Sequence, residues 1–172
     1  CLICINIDTR QLISDKFIEF IEGMIQQYGW LAQLISFEIT EVCNIQDEVK
    51  AQAMLSKLRQ YGFSISIDDF GTGFAAMQYL IKYPIDVLKI DRLFITDILQ
   101  DTKKQVIVKS VIEMAHSLSM QALAEGVSNR EEIEYLRSLG CDLIQGFGFG
   151  VPMSSKDASK WLKANYKPNY LL

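Results

Sequence analysis

The chain has 172 residues, 49% of them hydrophobic and 22% charged, with a formal net charge of −4, 10 glycines and 3 prolines. That supplies one substantial core but too little length for two independent domains, so residues 1–172 read as a single domain. The composition excludes a disordered tail, and the acidic balance with no Lys/Arg stripe excludes a polymeric nucleic-acid partner. No apolar run reaches the roughly 20 residues that cross a bilayer and the start lacks a basic signal-peptide region, so no membrane contact and a cytoplasmic location are expected.

The repeating unit is a short apolar run followed by a longer stretch of helical periodicity, the pattern of parallel βα units. Six units are present. The first strand, residues 2–7, carries Cys4 and Asn6 on one face, and the helix after it has an apolar side of Phe17, Ile18, Ile21, Met24 and Ile25. The second, 34–40, places Ser36, Glu38 and Thr40 on one parity; its helix shows Met54, Leu55, Leu58 and Tyr61, and Gly62 ends it. In the third, 63–68, Phe63, Ile65 and Ile67 alternate with Ser64, Ser66 and Asp68. The apolar parity should meet helices and the polar parity a barrel interior or cleft.

Pro84 punctuates the approach to the fourth strand, 87–91, which holds Lys89 and Asp91. A helix over 104–118 follows through Val108, Val111, Ile112 and Ala115. The fifth strand is 121–125, Gly140 ends the next helix, and the sixth strand is 142–145. The expected fold is α/β, a TIM-barrel-like (β/α) architecture that is incomplete, with about six of the eight βα units at which a parallel barrel closes. Such a sheet is open, with two edges.

Functional groups of such folds gather at the C-terminal ends of the strands. Those ends read Asn6, Glu38, Asp68 with Asp69, Lys89 with Asp91, Glu125 and Gln145. Oxygen ligands crowded at one mouth repel one another unless hard divalent cations lie between them, and with no histidine cluster the set favours Mg²⁺, Mn²⁺ or Ca²⁺ over zinc. Two metals about 4 Å apart would suit in-line displacement at phosphorus, making phosphodiester hydrolysis the natural reaction class. Lys89 would orient the attacking water or neutralise charge on the phosphate. The glycine-containing turn after Asp69 suits a loop that closes over ligand.

Asp-Asp-Phe-Gly-Thr-Gly-Phe at 68–74, Leu-Lys-Ile-Asp-Arg at 88–92, Glu-Ile-Thr-Glu at 38–41, Ala-Glu-Gly-Val at 124–127 and Gln-Gly-Phe at 145–147 together resemble the EAL domain, in order and spacing, from about residue 2 to about residue 153. The resemblance implies hydrolysis of one phosphodiester bond of cyclic di-GMP to linear pGpG, with Mg²⁺ or Mn²⁺, on a modified TIM barrel that commonly forms a homodimer. By the same resemblance Asn6, Glu38 and Asp68 would bind a first metal and Asp69 a second. Lys89 would hold the attacking water with Asp91 beside it at the second metal, and Glu125 and Gln145 would complete the metal and water shell. Glu41 would anchor the loop containing Phe70, Gly71, Thr72 and Gly73 and couple dimerisation to activity.

The chain departs from that pattern in lacking the Glu-Ala-Leu motif and the strands expected before Leu2; the missing Glu would be a metal ligand, so impaired turnover is expected, with a cyclic di-GMP or partner receptor as the alternative. Ser128 stands where an acidic residue is common and could loosen the second shell, and Ala75 and Ala76 replace paired serines. Asp8, Asp47 and Asp101 read as helix caps or surface charges. A structural ion-pair network is the bland reading of the strand-end charges. His116, the sole histidine, reads as structural, and Phe147 and Phe149 either pack the rim or stack on a base. Cys1, Cys4, Cys43 and Cys141 read as buried free thiols in a reducing compartment.

Overall fold

The computed structural model describes residues 3–40, 47–71 and 76–165. Six parallel strands, β1 (Ile3–Asn6), β2 (Ile35–Thr40), β3 (Ser64–Phe70), β4 (Val87–Ile90), β5 (Gln121–Ala124) and β6 (Leu143–Ile144), form one sheet in chain order. Between and after them run α1 (Thr9–Leu12), α2 (Asp15–Tyr28), a 3₁₀ turn (Gly29–Leu34), α3 (Glu48–Gln60), α4 (Ala76–Lys82), α5 (Arg92–Ile95), α6 (Thr102–Ser117), α7 (Arg130–Ser138) and α8 (Ser155–Asn165). This is a half-barrel, with β1 and β6 as its edges among the described residues.

The parity read from the sequence decides what each face buries. Ile39, Ile65, Ile67, Leu88, Ile90 and Ala122 lie in an apolar layer between sheet and helices, against Ile21 of α2, Leu55 and Leu58 of α3, and Val108 and Ile112 of α6. The opposite parity carries Ser36, Glu38, Ser66 and Lys89, all buried and all polar. Parallel strands joined by helices bury both faces, so a polar inner face must satisfy itself within the sheet. Ser36 and Ser66 do so through a 3.2 Å hydroxyl contact, and the Ser66 hydroxyl also donates to the Phe37 carbonyl at 3.3 Å.

The helices begin where the carboxylates stand. Asp8 caps α1, Asp47 caps α3 by accepting from the Lys50 amide, and Asp101 caps α6 by accepting from the amides of Lys103 and Lys104. The capping reading of all three therefore holds. Gly62 and Gly140 follow α3 and α7 with φ of +96° and +83°, the left-handed geometry that ends helices.

Three expectations need correction. β3 runs beyond Asp68 to Phe70, through a register shift between Ile67 and Phe70 that the alternation does not reveal. β6 is only two residues long, inside the expected 142–145. Cys4 is exposed rather than buried, because β1 is an edge strand, whereas Cys141 is buried as expected. Cys1 and Cys43 lie outside the described residues.

Candidate active site

Parallel register brings the strand ends together. Asn6 lies opposite Glu38, Glu38 opposite Ser66, and Thr40 opposite Asp68; on the other side of Asp68 the ladder continues through β4, where Lys89 lies opposite Leu123. Because these strands point the same way, side chains of matching parity converge on one rim.

Lys89 stands at the centre. Its Nζ lies 2.6 Å from Glu38 Oε1, 2.8 Å from Asp68 Oδ1 and 2.8 Å from Glu125 Oε1, with only 3% of its side chain exposed. Burial opposes an ammonium, yet hydrogen bonds donated to Asp68, Glu125 and Glu38 outweigh it and hold the lysine pKa above its ordinary value. Lys89 is therefore a fixed cation, and it cannot serve as a base near neutral pH. Glu38 Oε1 is wholly buried, and the Lys89 ammonium at 2.6 Å is its charge partner.

Asp68, Asp69 and Glu125 form a second grouping, in which one carboxylate oxygen from each lies within 4.8 Å of the others. Burial first, then the charges of Asp68 and Asp91, pushes the Asp69 carboxyl up; burial likewise raises Glu125 against the pull of Lys89. Asp69 has φ of +55°, in the left-handed region that aspartate enters more readily than most non-glycine residues. Carboxylates this close, with the Asp69 and Glu125 carboxyls both raised, have the donor chemistry of a hard divalent-cation site.

The other predicted residues fall around this pair of groupings. Asp91 follows β4 and spends its carboxylate on the Leu93 amide at 2.7 Å, capping α5 while lying beside Asp69. Asn6 is exposed at the end of β1, one strand from Glu38. Gln145 is exposed just past β6, its amide donating to the Ala124 carbonyl at 2.9 Å and its carbonyl accepting from Val127, which holds it next to Glu125 along the chain ends. Phe70 is buried and Gly71 lies at the surface. Glu41, Thr72 and Gly73 lie outside the described residues.

Sequence reading missed Cys4 as a neighbour of the site. Burial and then a hydrogen bond with Glu38 push its thiol up to about 11, so although the edge residue is exposed overall, its sulfur end faces the Glu38 carboxylate. Its shared parity with Asn6 was the signal. Ser128 donates its amide (2.7 Å) and hydroxyl (3.0 Å) to the buried Glu132 carboxylate. His116 contacts Asp142 at 2.8 Å, and Asp142 also accepts from the Ala122 amide, a structural tie at the foot of β5. Phe149 packs edge-on against Trp161, with centroids 6.2 Å apart, whereas Phe147 is 71% exposed.

Comparison with known proteins gives a consistent picture. The family model described as EAL domain matches residues 1–152. The chain is 31% identical over 165 residues to the cyclic di-GMP phosphodiesterase PdeR of Escherichia coli, covering 96% of this chain and 25% of PdeR. Among solved structures, the EAL domain of Mycobacterium smegmatis DcpA superposes with a TM-score of 0.89 at 32% identity, covering 97% of this chain and 75% of that one. The manganese and cyclic di-GMP complex of Klebsiella pneumoniae BlrP1 superposes with a TM-score of 0.74 at 29% identity, covering 85% of this chain and 38% of that one. The chain spans 20 to 25% of the length of the first curated relatives it matches.

Proposed function

The chain belongs to the EAL domain family, and we propose that its site hydrolyses one phosphodiester bond of cyclic di-GMP to give linear pGpG, with Mg²⁺ or Mn²⁺ held by its carboxylates. The observation that carries this reading is the convergence of Asp68, Asp69 and Glu125 within 4.8 Å beside a buried, triply ion-paired Lys89. A dianionic substrate meets five acidic groups at this rim (Glu38, Asp68, Asp69, Asp91 and Glu125), and repulsion must be offset before it can bind.

Asn6, Glu38, Asp68 and Asp69 would hold the cations, with Glu125 contributing an oxygen from β5 and Asp91 lying beside Asp69. The cations supply Lewis-acid polarisation of the phosphoryl oxygens and a lowered pKa for attacking water. Lys89 keeps its positive charge throughout, and with the carboxylate oxygens engaged by cations its N–H groups are free to orient water or the phosphate. Glu125, ion-paired to Lys89 at 2.8 Å, would complete the metal and water shell from β5. Gln145 then steadies water from the neighbouring strand end. A homodimer is the assembly that the family resemblance implies, and the exposed Leu93 and Val106 of α5 and α6 offer apolar surface for it.

Incubation of the protein with cyclic di-GMP and Mn²⁺, followed by chromatography, tests the reading. Metal-dependent appearance of pGpG, abolished by Asp69→Asn, is expected. Binding of the nucleotide with no product in any metal would favour a receptor instead.

A further inference from the structure

Asp69 faces the acidic grouping from a left-handed backbone, and contacts on both sides of it fix where the turn lies. On its N-terminal side the Asp69 amide donates to Asp68 Oδ1 at 3.1 Å, and β3 shifts register between Ile67 and Phe70. On its C-terminal side Phe70 is buried and pairs with Ile90. Gly71 then takes φ of +100°, and a β-carbon built on it would stand 2.7 Å from Phe94 Cε2, 3.0 Å from Cζ and 3.7 Å from Cδ2. The edge of the Phe94 ring thus fills the volume that a side chain at position 71 would need.

The ring itself is held from below. Phe94 lies in α5, its amide donates to the Asp91 carbonyl at 3.0 Å, and the ring packs half-buried against the apolar core. The Asp91 carboxylate caps the same turn through Leu93 and lies against Asp69. One short helix therefore touches the β3 exit twice, by charge at Asp69 and by ring edge at Gly71.

We propose that Phe94 is a positioning residue: its ring, wedged into the space over Gly71, fixes the turn at 68–71 and so keeps the Asp69 carboxylate among the oxygens of Asp68 and Glu125. The inference rests on the divalent-cation reading of that grouping. The contacts that hold a metal ligand in place typically matter roughly 10- to 100-fold to metal affinity, so a ring that fixes the turn carrying Asp69 bears on cation binding.

The test uses Mn²⁺ alone, titrated into the protein with free ion followed by electron paramagnetic resonance, so that it is read separately from nucleotide hydrolysis. Phe94→Leu is expected to weaken Mn²⁺ binding roughly tenfold, the lower end of the effect of lost outer contacts on metal affinity. Phe94→Met keeps most of the volume without the rigid edge and should weaken it in the same direction. Gly71→Ala should also weaken binding, because its β-carbon would meet the Phe94 ring and its φ of +100° strains any side chain there. Amide hydrogen exchange at residues 69–71 should accelerate in Phe94→Leu while the rest of β3 stays protected. Mn²⁺ affinity within about twofold of wild type, together with a lowered melting temperature, would make the ring core filler only and overturn the proposal. Should the wild type take up no Mn²⁺, the cation reading falls by itself, and the wedge then stands or falls on the exchange at 69–71.

Discussion

Replacing Lys89 with methionine removes a cation while keeping most of its volume, and the consequences follow from the geometry. Each N···O contact of 2.6 to 2.8 Å to Glu38, Asp68 and Glu125 gives about 4 kcal/mol of gross attraction, taking charge centres ~4 Å apart and an effective dielectric of ~20. Repulsion among the three carboxylates, about 3 kcal/mol per pair at ~5.5 Å, cancels most of that, so the intact network contributes little net stability. Removing the cation leaves the repulsion and the desolvation uncompensated, and a loss of about 3–5 kcal/mol is expected in metal-free buffer. The bare carboxylates would then have folded-state pKa values above their unfolded ones. The folded variant binds more protons than the unfolded chain, so its stability falls as pH rises, and the gap from wild type should be wider near about pH 8 than near about pH 5. Urea denaturation in chelator, followed through Trp30 and Trp161, measures both quantities. A variant within about 1 kcal/mol of wild type at the higher pH, or one whose deficit grows on acidification, would refute the electrostatic reasoning.

Three further outcomes are expected. Asp101→Ala removes the carboxylate that accepts two amides at the start of α6, so thermal unfolding should show a loss of about 1 kcal/mol with pGpG production per folded molecule unchanged. His116→Ala breaks the 2.8 Å contact to Asp142 but leaves the Ala122 amide bonded there; the cost should be about 1 kcal/mol, again with no effect on turnover. Asp69 and Glu125 are both held above their ordinary values of 3.8 and 4.5. Their contribution is present below those values and lost as pH rises through the raised folded ones, so metal-free stability should decline above that range, and saturating Mg²⁺ should flatten the decline.

The sheet, its order and the facing of its residues were legible because alternation in a parallel sheet is a direct record of which side each residue takes. Ser64, Ser66 and Asp68 against Phe63, Ile65 and Ile67 gave the inner face outright, and the same parity placed Glu38 and Lys89 on it. Asp8, Asp47 and Asp101 were legible as caps because each precedes a run of helical periodicity. What the pattern could not carry was anything set by a break in periodicity or by contact between distant elements. The register shift that extends β3 through Asp69 leaves no mark in composition, and the meeting of Gly71 with Phe94 joins residues 23 apart in sequence through space alone. The exposure of Cys4 depends on which strand is the edge, a property of the sheet rather than of the residue.

The central claim is that carboxylates from separate strands share divalent cations, and Mn²⁺ affinity in the Asp68→Asn, Glu125→Gln double variant tests it most directly. If the claim holds, binding weakens by at least roughly tenfold relative to wild type while the fold persists. Unchanged Mn²⁺ affinity would contradict it and leave these acids as an ion-pair network built around Lys89.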